Sequence, residues 1–256
     1  MQPHEKVTAA LKAANESGRT GLVAFMTAGY PDPQHFIETL KTVAAASDVV
    51  EIGVPFSDPM ADGMTIQRSS FKAIENGVTL KWIFAELERN DADLGAPLVM
   101  MSYLNPLLAF GYERLADRAL GTGVCAFIVP DLPFEESGDL RRALDARGIG
   151  LVQLVTPATP AQRMKTLVVA SKGFVYAVTV TGITGGDSAL PDELADYLQT
   201  VSGMSGLPVC AGFGIRTAKD VANAGRHASG AIVGSALVEV LERGDDPGAF
   251  LKSLRR

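Results

Sequence analysis

The sequence predicts an α/β protein built as one (β/α)8 barrel, the fold called a TIM barrel. The chain has 256 residues, which is long for a single core but usual for this barrel. Short apolar runs alternate with segments of helical period, a pattern typical of parallel strands joined by helices. Proline and glycine concentrate directly after the apolar runs, where such a barrel carries its active-site loops.

Eight runs rich in apolar and β-branched residues are predicted to form the strands. Most are apolar throughout, as expected of strands buried on both faces. Eight such units at this chain length favour a closed barrel over an open sheet. The predicted strands cover residues 21–27, 49–54, 98–103, 124–129, 150–156, 174–180, 207–211 and 231–234.

Segments with a helical spacing of apolar residues separate the predicted strands, over residues 34–46, 113–120, 135–147, 161–171, 191–201 and 218–224. An additional helix, over about residues 7–15, precedes the first strand. The longer connection, 65–93, has room for two helices. Because no interdomain linker interrupts this pattern, we predict a single barrel domain over residues 1–256.

Composition and charge exclude several classes of function. The net charge of −6, with no clustered basic face, argues against a nucleic-acid partner. No apolar run approaches the roughly 20 residues that span a bilayer, and no signal-peptide core begins the chain, so we expect no membrane partner and a cytoplasmic protein. Cys125 and Cys210 lie in apolar runs, as buried thiols do in a reducing compartment. The three histidines lie outside every motif and no metal-ligand spacing is present, so we expect no metal site.

Glu51 is the first candidate for chemistry because it is a carboxylate inside an apolar strand. Strand side chains alternate between faces, so Glu51 shares one face with Val49 and Gly53. A carboxylate on an interior face must be paired, protonated or used in general acid/base chemistry. Asp58 and Asp62 follow in the next loop, where residue types alone favour turn or helix-entry chemistry over a catalytic role.

Three glycine-bearing turns follow the sixth, seventh and eighth predicted strands, at residues 182–186, 212–215 and 234–236. Glycine permits close approach of the backbone to a ligand, and N–H groups at a helix start bind anions. Barrels frequently bind phosphate after strands seven and eight, so these turns predict a phosphate site to which Ser235 adds a hydroxyl. Arg216 and Lys219 lie nearby, and a solvated helix face explains them equally well.

Four aromatic residues near strand ends are candidates for the wall of a pocket: Phe25, Tyr103, Tyr176 and Phe213. Core packing is the alternative for Phe25. Asp131, after the fourth predicted strand, is interpreted as a structural residue that caps the following helix.

These motifs resemble the tryptophan synthase alpha chain family. The resemblance rests first on residues 49–63, and it extends in the family's order through residues 103–106, 129–133, 182–185, 212–215 and 234–236. It implies cofactor-free cleavage of indole-3-glycerol phosphate into indole and glyceraldehyde 3-phosphate by a retro-aldol reaction. In that reading Glu51 is the general acid/base, and Asp62 accepts a hydrogen bond from the indole N–H.

The resemblance also assigns the remaining site residues. Phe25, Tyr103, Tyr176 and Phe213 would line the indole pocket. Thr184 would also belong to the substrate pocket, where it would meet Asp62. The phosphate would lie against Gly185, Gly214, Gly234 and Ser235.

A partner follows from the same resemblance. Asp58, Pro59 and Asn105 would face a tryptophan synthase beta subunit, which carries pyridoxal phosphate and receives indole within an α2β2 assembly. Residues 180–186 resemble a closing lid. Met64, Val180 and Thr181 depart from the family's usual residues, which bears on loop closure and communication with the partner.

Three other readings remain open. The chain could be a weak catalyst that mainly binds and activates a beta subunit, although such a chain would be expected to lose Glu51 or Asp62. It could be another phosphate-binding barrel, such as a phosphoribosyl isomerase, which would fit the glycine turns. It could also be a free-standing lyase that releases indole without a partner.

Overall fold

The computed structural model describes residues 1–90, 94–179, 191–212 and 214–255. Eight parallel strands in these ranges close into a barrel in sequence order, with the last strand paired to the first. The predicted (β/α)8 barrel is confirmed. The strands are β1 (Gly21–Thr27), β2 (Val49–Gly53), β3 (Leu98–Met101), β4 (Val124–Ile128), β5 (Gly150–Val155), β6 (Val175–Val178), β7 (Val209–Gly212) and β8 (Gly230–Val233).

Helices surround the barrel. The helices among the described residues are α1 (Pro3–Glu16), α2 (Phe36–Ala44), α3 (Met64–Glu75), α4 (Leu80–Arg89), α5 (Leu104–Phe110), α6 (Tyr112–Gly121), α7 (Gly138–Asp145), α8 (Ala161–Ala170), α9 (Asp192–Met204), α10 (Ala218–Gly225), α11 (Ser235–Glu242) and α12 (Pro247–Ser253). None of the described helices is long and apolar enough to cross a membrane. The connection 65–93 contains two helices, as predicted.

The extra N-terminal helix closes one end of the barrel. Val7 and Leu11 of α1 are fully buried and belong to the same apolar cluster as the inward-facing side chains Val23, Val49 and Phe174. The helix begins four residues earlier than its apolar period suggests, since Pro3 occupies its first turn and Gln2 forms a capping box with Glu5. The opposite end of the barrel is left for the site.

Two kinds of difference separate the predicted from the observed helices. The predicted helix over 34–46 starts as a 3-10 turn at Pro33–His35 and becomes α-helical only at Phe36, and the one over 135–147 starts in the same way. Helices α5, α11 and α12 were not predicted. Each has only seven or eight residues, which is too short to display a convincing apolar period.

The pleat of β2 places Glu51 inside the barrel, as predicted. Val23 and Phe25 of β1 are the register partners of Val49 and Glu51, and these side chains share the interior. Neighbouring side chains such as Val50 and Ile52 instead belong to the apolar layer between strands and helices. Interior packing is therefore apolar near the N-terminal strand ends and becomes polar at Glu51, where the candidate site begins.

Candidate active site

A cavity of about 350 Å³ opens at the C-terminal end of the barrel. It brings together seven residues that the sequence analysis selected: Phe25, Glu51, Asp62, Tyr176, Gly214, Gly234 and Ser235. The remaining wall comes from Thr65, Ile66, Met101, Gly212, Ile215, Arg216, Ile232 and Ala236. Both candidate acids and the glycine turns of β7 and β8 thus face one volume, of a size suited to a small molecule.

Glu51 is a buried acid with an unusual protonation state. It is only 1% exposed, and its Oε2 has no hydrogen-bond partner among the described residues. Burial raises the pKa of Glu51 to about 8, and the negative charge of Asp62 adds to that shift. At neutral pH the Glu51 carboxyl is therefore mainly protonated, and it can give a proton to a molecule in the cavity.

Asp62 has a different environment although it faces the same cavity. It lies in the loop between β2 and α3, and the Tyr103 hydroxyl donates a hydrogen bond to its Oδ2 at 3.1 Å. Partial burial raises the pKa of Asp62 to about 6, while the bond from Tyr103 acts in the opposite direction. Asp62 is thus mainly ionised at neutral pH. Two carboxyl groups in one site therefore hold opposite protonation states.

The loop that carries Asp62 is fixed by several hydrogen bonds. The backbone N–H of Ala61 donates to the Tyr103 hydroxyl at 2.9 Å, and the Gln67 amide donates to the backbone carbonyl of Asp62 at 2.9 Å. The ring of Tyr103 stacks on Phe56 with a centroid separation of 5.0 Å. Tyr103 thus lies behind Asp62, outside the set of cavity-lining residues. Its predicted contact with a bound indole stays a prediction.

Two inward-facing glycines make room for the aromatic walls. A Cβ on Gly53 would lie 2.5 Å from the Phe25 ring, and a Cβ on Gly212 would lie 2.5 Å from the Tyr176 ring. Both distances are far shorter than any normal contact. The Phe25 and Tyr176 rings therefore fill the space that a side chain at Gly53 or Gly212 would need, and Gly212 serves this packing as well as the turn that follows it.

Part of the predicted phosphate site is formed by described residues. Gly214 has a φ of +36°, a backbone conformation that favours glycine. Gly234 precedes α11, and Ser235 is the first residue of that helix. Backbone N–H groups in this position are an anion-binding feature. Thr184, Gly185 and Phe213 lie outside the described residues.

The candidate partner residues lie on the same face of the barrel as the cavity. Asp58 and Asn105 are exposed, whereas Pro59 is buried. Asn105 follows β3 and lies in the first turn of α5. Two exposed apolar side chains follow nearby in the chain, Met60 (85% exposed) and Leu108 (53% exposed).

Asp131 has a structural role, although it caps a different helix from the expected one. Its Oδ1 accepts a hydrogen bond from the backbone N–H of Leu104 at 2.9 Å, at the N-terminus of α5. The described residues contain no group of three or more His, Cys, Asp and Glu side chains that could hold a metal ion.

The buried state of Glu51 has a consequence for stability that does not depend on the reaction. Its pKa is about 8 in the folded protein against an ordinary value of 4.5, so its stabilising contribution is complete below pH 4.5 and is lost as the pH rises through about 8. Between pH 5 and pH 8.5, the unfolding free energy of the wild type should therefore fall by about 4 kcal/mol relative to that of Glu51→Gln. Urea unfolding at both pH values measures the difference.

The matched control for this prediction is Glu113→Gln. Glu113 is an exposed residue whose carboxylate pairs with Arg147, so its removal should give no comparable gain at high pH. If the wild type and Glu51→Gln showed the same dependence of unfolding free energy on pH, Glu51 would not be a buried acid with a raised pKa.

Fold and site together define a class. This is a (β/α)8-barrel enzyme whose cavity pairs a protonated buried acid with an ionised carboxylate, beside the N-terminus of α11. The sequence model of the tryptophan synthase alpha chain family matches residues 11–254. The chain belongs to the tryptophan synthase alpha chain family.

Relatives and solved structures agree with this assignment. The tryptophan synthase alpha chain of Nitratidesulfovibrio vulgaris is 42% identical, covering 95% of each chain, and that of Bacillus cereus is 43% identical, covering 91% of this chain and 90% of the other. A structure of Mycobacterium tuberculosis tryptophan synthase superposes with a TM-score of 0.89 at 31% identity, covering 97% of this chain and 96% of that one. The alpha subunit from Legionella pneumophila gives 0.87 at 31% identity, covering 98% and 97%.

Proposed function

We propose that this chain catalyses the alpha reaction of tryptophan biosynthesis, the retro-aldol cleavage of indole-3-glycerol phosphate into indole and glyceraldehyde 3-phosphate. The observation that carries the proposal is the opposite protonation state of two acids in one cavity, with a pKa of about 8 for Glu51 and about 6 for Asp62. The reaction needs a proton donor and a fixed negative charge at the same pH, and these two groups meet both needs.

Glu51 would move both protons of the reaction. The protonated carboxyl gives its proton to indole C3, and the resulting carboxylate then removes the proton of the side-chain hydroxyl. The bond between C3 and the side chain breaks, its electrons return to the indole ring, and the hydroxyl carbon becomes the aldehyde. Glu51 ends protonated again, so no other acid or base is needed.

Asp62 would stabilise the charge that this step creates. Protonation of C3 places positive charge on the indole nitrogen, and an ionised carboxylate that accepts the indole N–H lowers the energy of that state. Tyr103 favours this ionised form because its hydroxyl donates to Asp62. Tyr103 is thus a positioning residue, while Phe25 and Tyr176 supply the aromatic walls that suit an indole ring.

The substrate phosphate would lie at Gly214, Gly234 and Ser235, and by resemblance at Gly185. Binding energy gained there would place C3 beside Glu51, which lies in the same cavity. Thr184 and Phe213 are proposed from the resemblance alone, as contacts to Asp62 and to the indole ring.

A tryptophan synthase beta subunit is the proposed partner, in an α2β2 assembly that passes indole to pyridoxal phosphate in the beta chain. Several similar solved structures are of tryptophan synthase, including an aminoacrylate-bound form from M. tuberculosis. The exposed Asp58 and Asn105, with Met60 and Leu108 beside them, suit a surface that a partner covers. The buried free thiols of Cys125 and Cys210 suit a cytoplasmic location, which we include in the proposal.

Indole release from indole-3-glycerol phosphate by the purified chain tests the proposal, with and without a tryptophan synthase beta subunit. We expect release by the chain alone and a faster rate with the partner. Release at an unchanged rate would refute the coupling and favour a free-standing lyase. No release from folded protein under either condition would refute the proposed reaction.

Tyr103→Phe tests whether the hydrogen bond from the Tyr103 hydroxyl helps to keep Asp62 ionised. Loss of the hydroxyl removes the hydrogen bond that lowers the pKa of Asp62, so the acidic limb of kcat/KM should move upward by up to about one pH unit. The substrate phosphate also titrates near pH 6, but equally in both proteins, so the difference between them reports on Asp62.

The control for this substitution is Tyr197→Phe. Tyr197 is also buried, and its hydroxyl donates to the carbonyl of Val155 at 2.7 Å, away from the cavity. That variant should keep the acidic limb of the wild type. An unmoved limb in Tyr103→Phe would show that the hydroxyl has no influence on Asp62.

A further inference from the structure

The cavity has a cation at its mouth that the proposed function has not used. Arg216 follows β7 and lines the cavity together with Gly214 and Ser235. It is the one positively charged side chain among the described residues that line this volume. Glycine N–H groups and a serine hydroxyl are neutral donors, whereas a phosphate monoester carries a charge of about −1.5 to −2 at pH 7. These neutral donors alone give the phosphate no hydrogen bond from a charged donor, and hydrogen bonds from charged donors are the stronger kind.

Arg216 is held in place from two directions. Its two terminal guanidinium nitrogens donate to the two carboxylate oxygens of Glu239 at 2.8 Å each. Its backbone N–H donates to Asp220 at 2.9 Å, within the capping box that starts α10. The side chain is still 47% exposed, so the guanidinium is both oriented and reachable. An oriented arginine loses little conformational entropy when it binds a ligand.

The position of Glu239 directs Arg216 toward the phosphate end of the cavity. Glu239 lies four residues after Ser235 on α11, and residues four apart share one face of a helix. The same carboxylate accepts a weak hydrogen bond of 3.4 Å from Thr65, which also lines the cavity. The ion pair therefore joins the loop after β7 to the helix that begins at Ser235.

We infer that Arg216 is a phosphate-binding residue, pre-positioned by Glu239, that makes this site specific for a phosphate monoester; the inference rests on the proposed function. The bidentate pair with Glu239 uses two of the five guanidinium N–H groups, and the other three have no partner among the described residues. Arg216 can therefore donate to the substrate phosphate while it keeps Glu239. The pair carries no net charge without ligand, which avoids an unbalanced cation at the mouth.

Binding of glycerol 3-phosphate, the phosphate-bearing part of the substrate, tests this inference by calorimetry. For Arg216→Gln we expect a Kd about tenfold higher, equivalent to about 1.4 kcal/mol, with a similar rise in KM for indole-3-glycerol phosphate and kcat within about twofold of the wild type. The control is Arg163→Gln. Arg163 forms the same kind of bidentate pair, with Glu135, away from this cavity, and its loss should leave Kd unchanged.

A double variant distinguishes the loss of a direct contact between Arg216 and the phosphate from repulsion of the phosphate by Glu239. Arg216→Gln alone leaves Glu239 as an unpaired negative charge near the phosphate, which would itself weaken binding. Arg216→Gln combined with Glu239→Gln removes both charges, so binding should stay weak if Arg216 contacts the phosphate. Recovery of the wild-type Kd in the double variant would overturn the inference, as would an unchanged Kd in Arg216→Gln or no binding by the wild type.

The binding experiment can refute the role of Arg216 without refuting the proposed reaction, and the reverse also holds. Weakened binding in Arg216→Gln by a chain that releases no indole would support the phosphate role and refute the lyase reaction. Indole release with no dependence of Kd and KM on Arg216 would leave the reaction standing and refute the inference.

Discussion

Glu51→Gln should lower kcat for indole release by at least about 10³-fold. Glutamine preserves the shape of the side chain but cannot give a proton to indole C3 or take one from the hydroxyl, and Glu51 performs both steps in the proposed reaction. KM should change little because the substitution leaves the proposed phosphate-binding residues, including Gly234, Ser235 and Arg216, unchanged. Steady-state kinetics with indole-3-glycerol phosphate at pH 7 measures both constants.

Misfolding would not explain the loss of activity in this variant. Relative to the wild type, Glu51→Gln is expected to gain stability as the pH rises above 5, since it removes a buried titrating group. Binding of glycerol 3-phosphate should also be retained. Turnover by Glu51→Gln within tenfold of the wild type would remove Glu51 from the mechanism.

Asp62→Asn should lower kcat/KM by about 10²-fold, because a neutral amide cannot stabilise the charge on the protonated indole. Asparagine retains an oxygen that can accept the indole N–H, so the loss should be smaller than for Glu51→Gln. The same substitution removes the negative charge that helps to raise the pKa of Glu51. Glu51 should therefore lose its proton at a lower pH in this variant, so the residual activity should decline at a lower pH than the wild-type activity does.

Asp131→Asn is the matched control for this second substitution. Asp131 lies on the same face of the barrel, but it accepts the N–H of Leu104 and does not line the cavity. We expect the isolated chain to keep its kcat/KM in Asp131→Asn. Equal activity of Asp62→Asn and the wild type would mean that the carboxylate beside the indole N–H contributes no stabilisation.

The fold could be predicted from the sequence because its signals are local and repeated. Each strand is a short apolar run, and the runs recur at intervals that leave room for at least one helix. The interior register of Glu51 followed from the period of two in β2, and the structure places it there. Helices α5 and α11 escaped prediction because their residues had been interpreted as site loops, and their short lengths carry little periodicity.

The site could be predicted only as far as its residues lie on strands near their C-terminal ends or in the loops that follow them. Phe25, Glu51, Asp62, Tyr176 and the glycines after β7 and β8 were selected, and they share one cavity. The bond from Tyr103 to Asp62 joins residues 41 positions apart, so no local pattern reveals it.

The ion pair between Arg216 and Glu239 escaped prediction for the same reason. Its members lie 23 positions apart on different elements, and from the sequence alone a solvated helix face explained Arg216 equally well. The role of Gly53 and Gly212, by contrast, could have been predicted from the sequence. Glycine at an inward strand position indicates that a neighbouring side chain needs the space, and both make room for an aromatic ring.

The basic limb of kcat/KM against pH, compared between the wild type and Asp62→Asn, tests most directly whether Glu51 acts as a protonated acid. The substrate phosphate does not titrate in that range, so the limb reports on the enzyme. We predict that wild-type activity falls through a pKa of about 8 and that the limb moves to lower pH in Asp62→Asn. Wild-type activity that rises through pH 8, or a limb that stays in place in Asp62→Asn, would contradict the coupled pair of acids.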